Sequence, residues 1–170
     1  MTASNITIRI ASKEDLDGIL KIQAENQVSQ GGKLSAALKR DLILEMMSDM
    51  PQIVAIIDNE VVGFLLTTSK AVNQKNKLAI VDAMSASYSG SENAYIYGPI
   101  CINRDQRGKG FAQLMFNELL RLEPNREGIL FIKDDNEASL KAHEKMGIHK
   151  KGSFTFGNND FSVLAYLFPV

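Results

Sequence analysis

The residues best suited to do chemistry lie between positions 104 and 112, where Arg104, Arg107 and Lys109 accompany Gly108 and Gly110, and Phe111-Ala112 open an apolar run. Glycines let the backbone adopt positive φ and approach a ligand with no Cβ in the way. A helix starting near Phe111 would present the unpaired N–H groups of its first turn and about half a positive charge, a combination that holds phosphate groups. The segment is a candidate anion cradle. It fits neither of two common nucleotide loops. A dinucleotide fingerprint needs a third glycine where Gln113 stands, and a Walker loop needs Lys then Ser or Thr where Phe111-Ala112 follow.

A second set of polar residues recurs later: Asn136, Ser139, His143, Lys145 and Gly147. On a helix turning about 100° per residue, Asn136 and His143 fall on nearly the same side, with Ser139 and Gly147 flanking and Lys141 and Lys145 turned away. His143 therefore faces inward, where an imidazole serves either as a packed, hydrogen-bonded structural group or as a proton carrier near neutral pH. The one cysteine, Cys101, lies in a strand-like run and reads as a small buried hydrophobe; no histidine or acid is positioned by sequence to activate it.

These groups need elements to position them. Ile6–Ile10 alternates as a half-buried strand, and Ser12 can cap a helix carrying Leu16, Ile19, Leu20 and Ile22. A polar segment, Asn26–Lys33, precedes a helix from about Ser35 to Met50, closed by Pro51. Residues 52–57 and 60–68 form two strands around Asp58-Asn59, a pair that tolerates a tight hairpin turn and so predicts antiparallel sheet. Residues 69–93 are polar, with one short helix around Lys77–Ala86. Ala94–Asn103 is a strand interrupted at Gly98-Pro99, because proline donates no ladder bond. The helix from Phe111 to Leu122 carries one apolar edge of Phe111, Met115, Leu119 and Leu122, completed by Ala112, Phe116 and Leu120, and turns Gln113, Asn117, Glu118 and Arg121 away. Gly128–Lys133 is a strand, Asn136 caps a helix ending at Gly147, and residues 151–156 and 161–168 make a terminal hairpin. Met46, Met47, Met50 and Met84 suit an adaptable pocket or core filling.

The chain has 170 residues, 45% hydrophobic and 23% charged, which suits one soluble domain over 1–170. A net charge of −1 gives no global attraction to nucleic acid or anionic membrane, so anion binding must be local. No basic flank with an apolar signal core opens the chain, and no apolar run approaches membrane-spanning length; a cytoplasmic protein is expected. One cysteine and two histidines make neither an internal disulfide nor a zinc-ligand cluster, so no metal is expected.

Taken in order, Arg107-x-x-Gly110-x-Ala112 after an interrupted strand and Asn136-x-x-Ser139-x-x-x-His143-x-Lys145-x-Gly147 after the next one resemble the GNAT superfamily of acyl-CoA-dependent N-acyltransferases. The resemblance covers nearly the whole chain. It implies a mixed α/β, largely antiparallel central sheet of about seven strands, splayed in the middle and flanked by about four helices. It also implies acetyl-CoA as co-substrate. Backbone amides of Arg107, Gly108, Lys109, Gly110, Phe111 and Ala112 would hold its pyrophosphate; Ile100, Cys101 and Ile102 would lend strand groups to its pantetheine arm; Asn136 and His143 would lie beside it. His143 occupies a position where the family often has tyrosine, and Ile148 replaces a frequent phenylalanine. In that position His143 would protonate the departing thiolate.

The implied activity is acetyl transfer to a primary amine of a small molecule or protein, by direct attack in a ternary complex, from a monomer or homodimer. The alternative is a non-catalytic acyl-CoA-binding module. A lysine-like amine has a pKa of about 10.4, so reaching its neutral form at pH 7 costs roughly 4 to 5 kcal/mol. The strand holding Cys101 offers no carboxylate to help. Glu25, Glu92, Tyr95 and Tyr97 remain candidates for the base, and Asn26–Lys33, residues 69–93 and the terminal hairpin are the expected walls of the acceptor pocket.

Overall fold

The computed structural model describes residues 5–27 and 37–169; most of the acceptor segment Asn26–Lys33 and the predicted helix start at Ser35 lie outside them. The described chain forms β1 (Ile6–Ile10), α1 (Leu16–Glu25), α2 (Arg40–Asp49), β2 (Ile53–Ile57), β3 (Glu60–Ser69), α3 (Lys70–Asn76) and α4 (Ala79–Ser87). Then follow β4 (Tyr95–Ile102), α5 (Phe111–Leu122), β5 (Gly128–Lys133), α6 (Glu137–Lys145), β6 (His149–Phe156) and β7 (Asn159–Tyr166). Among the described residues, seven strands run in the order β1-β2-β3-β4-β5-β7-β6. The class is mixed α/β with a mostly antiparallel sheet. Among the described residues there are six α-helices where about four were expected; the polar stretch 69–93, with one helix predicted, holds two. Ser69 caps the first by accepting from Val72 N–H, and Lys77 in a left-handed conformation ends it.

Two compact units divide the chain. The first holds residues up to Thr67 together with Gly98–Glu123. Its β2–β3 hairpin turns at Asp58 and Asn59, both at positive φ as a tight two-residue turn requires. All five residues of β2 are buried. Gln52, 1% exposed, ties the start of this strand to its neighbours: Nε2 donates to the carbonyls of Met46, Met50 and Thr67, and Oε1 accepts from Thr67 N–H at 2.7 Å. A buried amide is stable only when its donors and acceptor are matched in this way. α5 buries Phe111, Met115, Phe116 and Leu119 on the face its sequence periodicity predicts.

The second unit holds Thr68–Tyr97 and residues from Pro124 onward. β5 pairs antiparallel with β7 from Gly128↔Tyr166 to Lys133↔Phe161, and β7 pairs with β6 around the terminal turn. β4 pairs parallel with β5 at Tyr95↔Gly128 and Ile96↔Ile129, just ahead of Gly98-Pro99. Val81 and Met84 from α4 pack with Ile96, Ile129 and Val163 in a common apolar cluster. Met46, Met50 and Met84 are buried, which is the core-filling reading of these methionines, while Met47 is half-buried.

Candidate active site

The glycine segment has the local geometry its composition implies. Asn103 accepts a hydrogen bond from Asp105 N–H and starts a short turn at Arg104–Gln106, after which Gly108 and Gly110 sit at φ +78° and +81°. Gly110 is the N-cap of α5 and has no side chain to occupy the first-turn N–H groups. Those donors are left for a ligand or for water. A Cβ at Gly108 or Gly110 would meet no atom of the described residues within 4 Å. Glycine is therefore required here by backbone conformation, and the space over the loop is open to an anionic group.

The cationic side chains do not all point at that space. Arg107 turns back: its Nε donates to Ile102 O at 3.2 Å, and its Nη2 donates to Asn26 Oδ1. Asn26 is buried at the end of α1 and donates to Ile22 O at 2.8 Å. Arg107 thus ties the loop to the end of β4 and to α1, a role that residue type alone did not disclose. Lys109 Nζ donates to Gln106 Oε1 at 2.8 Å within the loop. Cys101 is 9% exposed, and burial pushes its thiol up to about 11 despite the nearby Arg107 guanidinium. At neutral pH it is protonated, a poor nucleophile. A Cβ on Gly63 would crowd Cys101 O at 3.2 Å, so β3 runs close against this part of β4.

In the second unit, α6 starts where Asn136 Oδ1 accepts from Ser139 N–H at 3.4 Å, the cap read from sequence. His143 is 4% exposed and faces inward as its helical position requires. Its Nδ1 lies 2.7 Å from the carbonyl oxygen of Ser139 and 3.3 Å from Ser139 Oγ, while Nε2 lies 3.1 Å from Tyr97 Oη. A carbonyl can only accept, so Nδ1 carries the proton. Burial pulls the imidazole below its ordinary value, opposed by the bond to Ser139, so the ring is neutral near pH 7 and Nε2 accepts from the Tyr97 hydroxyl. Burial, with Tyr95 nearby, also raises the Tyr97 phenol well above its ordinary range. In this arrangement Nε2 has no proton to give a thiolate until it has taken one up.

Tyr97 also meets Tyr166 edge to face at 6.0 Å, and Tyr166 shares a short hydroxyl contact with Tyr95. Sequence reading passed over Tyr166, although Gly128 marks it: a Cβ there would strike the Tyr166 ring at 2.3 Å. It also passed over Glu127. This buried carboxylate accepts from Tyr88 Oη, Ser91 N–H and Ser91 Oγ. Burial alone would raise its pKa, yet these hydrogen bonds win and hold it below the ordinary 4.5. Of the carboxylates considered as bases, Glu25 and Glu92 are both exposed. No group of three or more metal-ligating side chains occurs among the described residues, and none of their helices is long and apolar enough to cross a membrane.

Residues 17–148 match the acetyltransferase (GNAT) family, and the chain belongs to that family. Acetyl transfer is the chemistry of the class. The fold agrees over nearly all of the chain with solved acetyltransferase structures. The GNAT-family acetyltransferase from Streptococcus agalactiae superposes with a TM-score of 0.73 at 16% identity, covering 97% of this chain and 96% of that one. Ard1 from Thermoplasma volcanium gives 0.73 at 16% identity, with 97% and 99% covered. yncA from Salmonella typhimurium, solved with its cofactor acetyl-CoA, gives 0.70 at 16% identity, with 96% and 94% covered. No curated protein matches the sequence at a significant level.

Proposed function

We propose that this protein transfers an acetyl group from acetyl-CoA to a primary amine of a small molecule or protein, by direct attack within a ternary complex. The observation that carries the reading is the loop: two positive-φ glycines lead into a helix whose N-cap has no side chain, and no atom of the described residues stands within 4 Å of where their Cβ atoms would be. In this reading the amides of residues 107–112 hold the pyrophosphate, Ile100, Cys101 and Ile102 lend backbone groups to the pantetheine arm, and Asn136 and His143 lie beside it. Acetyl-CoA supplies an activated thioester. A structure of yncA with acetyl-CoA and the shared family support that co-substrate. Direct attack is favoured over an acyl-cysteine route because the Cys101 thiol is protonated at neutral pH. Co-binding then provides orientation in place of a covalent intermediate. The chain acts in this reading as one acyltransferase domain.

A second reading, a binding module without turnover, draws on the engagement of both His143 nitrogens and on the exposure of Glu25 and Glu92. Calorimetric titration with acetyl-CoA, competed by ATP and NAD, followed by a thiol-release assay across polyamines, amino acids, aminoglycosides and peptides, separates the two. Binding with amine-dependent thiol release supports transfer. Binding with no release from any amine supports the module, and displacement by ATP or NAD far better than by coenzyme A would sink both.

A further inference from the structure

We propose that Tyr97 and His143 form a proton relay that serves as the base for the attacking amine, with Tyr97 the catalytic residue and His143 the positioning and proton-holding group behind it. The inference rests on the acetyltransferase reading above and supplies the base that reading lacks.

The geometry sets the direction of the relay. Ser139 O fixes the proton of the neutral ring on Nδ1, so the Nε2 lone pair is aimed at the Tyr97 hydroxyl and receives its hydrogen bond. A phenol that gives its own proton to such a partner can accept another on the same oxygen. Were the tautomer reversed, Nε2–H would donate to Tyr97 and the pair could not take up a proton. The cation that forms when Nε2 is protonated keeps its hydrogen bond from Nδ1 to the Ser139 carbonyl, and the Ser139 hydroxyl lies 3.3 Å from the same nitrogen. The two rings meet edge to face at 5.5 Å, which holds the donor and acceptor in register. Tyr97 stands three residues before Ile100 on β4, the strand assigned to the pantetheine arm.

The steps balance without any other reactant. The neutral amine forms its C–N bond to the acetyl carbon and its surplus proton passes to Tyr97 Oη, while the original Tyr97 proton moves to His143 Nε2. The C–S bond breaks and its electron pair leaves on sulfur. The proton on Nε2 then returns through Tyr97 to the thiolate, giving free thiol and restoring both side chains. His143 thereby fulfils the thiolate-acid role expected from its motif, but only after taking up the amine's proton.

The test combines kinetics with a readout independent of turnover. Using acetyl-CoA with spermidine, lysine, kanamycin and a short peptide as probes, Tyr97→Phe should lower kcat about 100-fold, in the range usual for a proton-transfer group, with KM for acetyl-CoA unchanged. His143→Gln can still accept a hydrogen bond from Tyr97 but cannot hold a proton. It should fall equally, and the double variant should be no worse than either single one. Nitrogen NMR of the wild-type imidazole should show Nδ1 protonated and Nε2 bare at pH 7, with the Nε2 signal shifted in Tyr97→Phe. Rescue by His143→Gln, additive losses, or an Nε2–H tautomer would overturn the relay. If the wild type releases thiol and Tyr97→Phe stays within threefold, only the relay fails. If the wild type releases no thiol with any amine, the transferase reading falls and takes the relay with it.

Discussion

In the roles proposed for them, the glycine loop and the Tyr97–His143 pair would solve different problems with different materials. The loop would work through main-chain amides set by φ at Gly108 and Gly110, and Arg107 braces it against Ile102 and Asn26. The pair works through side chains, both almost fully buried, that come from a strand and a helix far apart in sequence. Holding a polyanion needs many weak donors in a local curve, which six consecutive residues can make. Moving a proton needs one acceptor with a fixed tautomer in low dielectric, which packing must make.

The difference can be broken at the loop first. Gly110→Val forces a β-branched residue into φ +81°, and the strain of about 1 to 3 kcal/mol should weaken acetyl-CoA about 10- to 100-fold in a calorimetric titration. Gly157→Val, at φ +56° in the terminal turn, imposes similar strain away from the loop. It should cost stability and leave that affinity unchanged. Equal loss of affinity in both would show that the loop has no special part in binding.

Next in size is a buried group outside either region. Glu127→Gln removes a carboxylate that accepts three hydrogen bonds, two of them from Ser91, and should cost about 2 kcal/mol in urea unfolding at pH 7. Because the folded state holds this carboxyl below its ordinary 4.5, its contribution is complete above that value and fades as the pH falls through the folded pKa. The gap between wild type and variant should therefore narrow as the pH falls below about 4.5. A constant gap would mean that the charge contributes nothing.

Smaller effects sharpen the contrast. Arg107→Met keeps the stem but loses the bonds to Ile102 and Asn26, and should weaken acetyl-CoA only about fivefold, roughly 1 kcal/mol, since the amides remain. A loss as large as that of Gly110→Val would make Arg107 a direct ligand of the anion. Cys101→Ala should leave kcat within about twofold, because a thiol held near 11 is protonated at pH 7. Loss of turnover with stability intact would instead point to an acyl-cysteine.

Legibility followed the same division. The Asp58-Asn59 hairpin, the α5 stripe, the Asn136 cap and the inward face of α6 were all readable, because each depends on residues within a turn or two of one another. The sequence predicts one short helix in 69–93, which is α4, whereas the missed one, α3, has only seven residues between the Ser69 cap and Lys77, too few for an apolar period to mark it. Tyr166 and Glu127 escaped notice because nothing beside them in sequence announces their partners. Gly128 and Gly90 were the available signals, each lacking a Cβ where Tyr166 and Glu127 respectively need the room.

By itself, then, the sequence determined the family motifs, the glycine loop and the direction in which His143 faces, all consequences of backbone conformation and helical period. Only the tertiary structure decided what His143 meets. Its tautomer, its neutral state and its partnership with Tyr97 depend on a carbonyl one turn back, on burial and on a strand placed against α6. Proton affinity is set by surroundings that converge from distant parts of the chain, and no local spacing encodes that convergence.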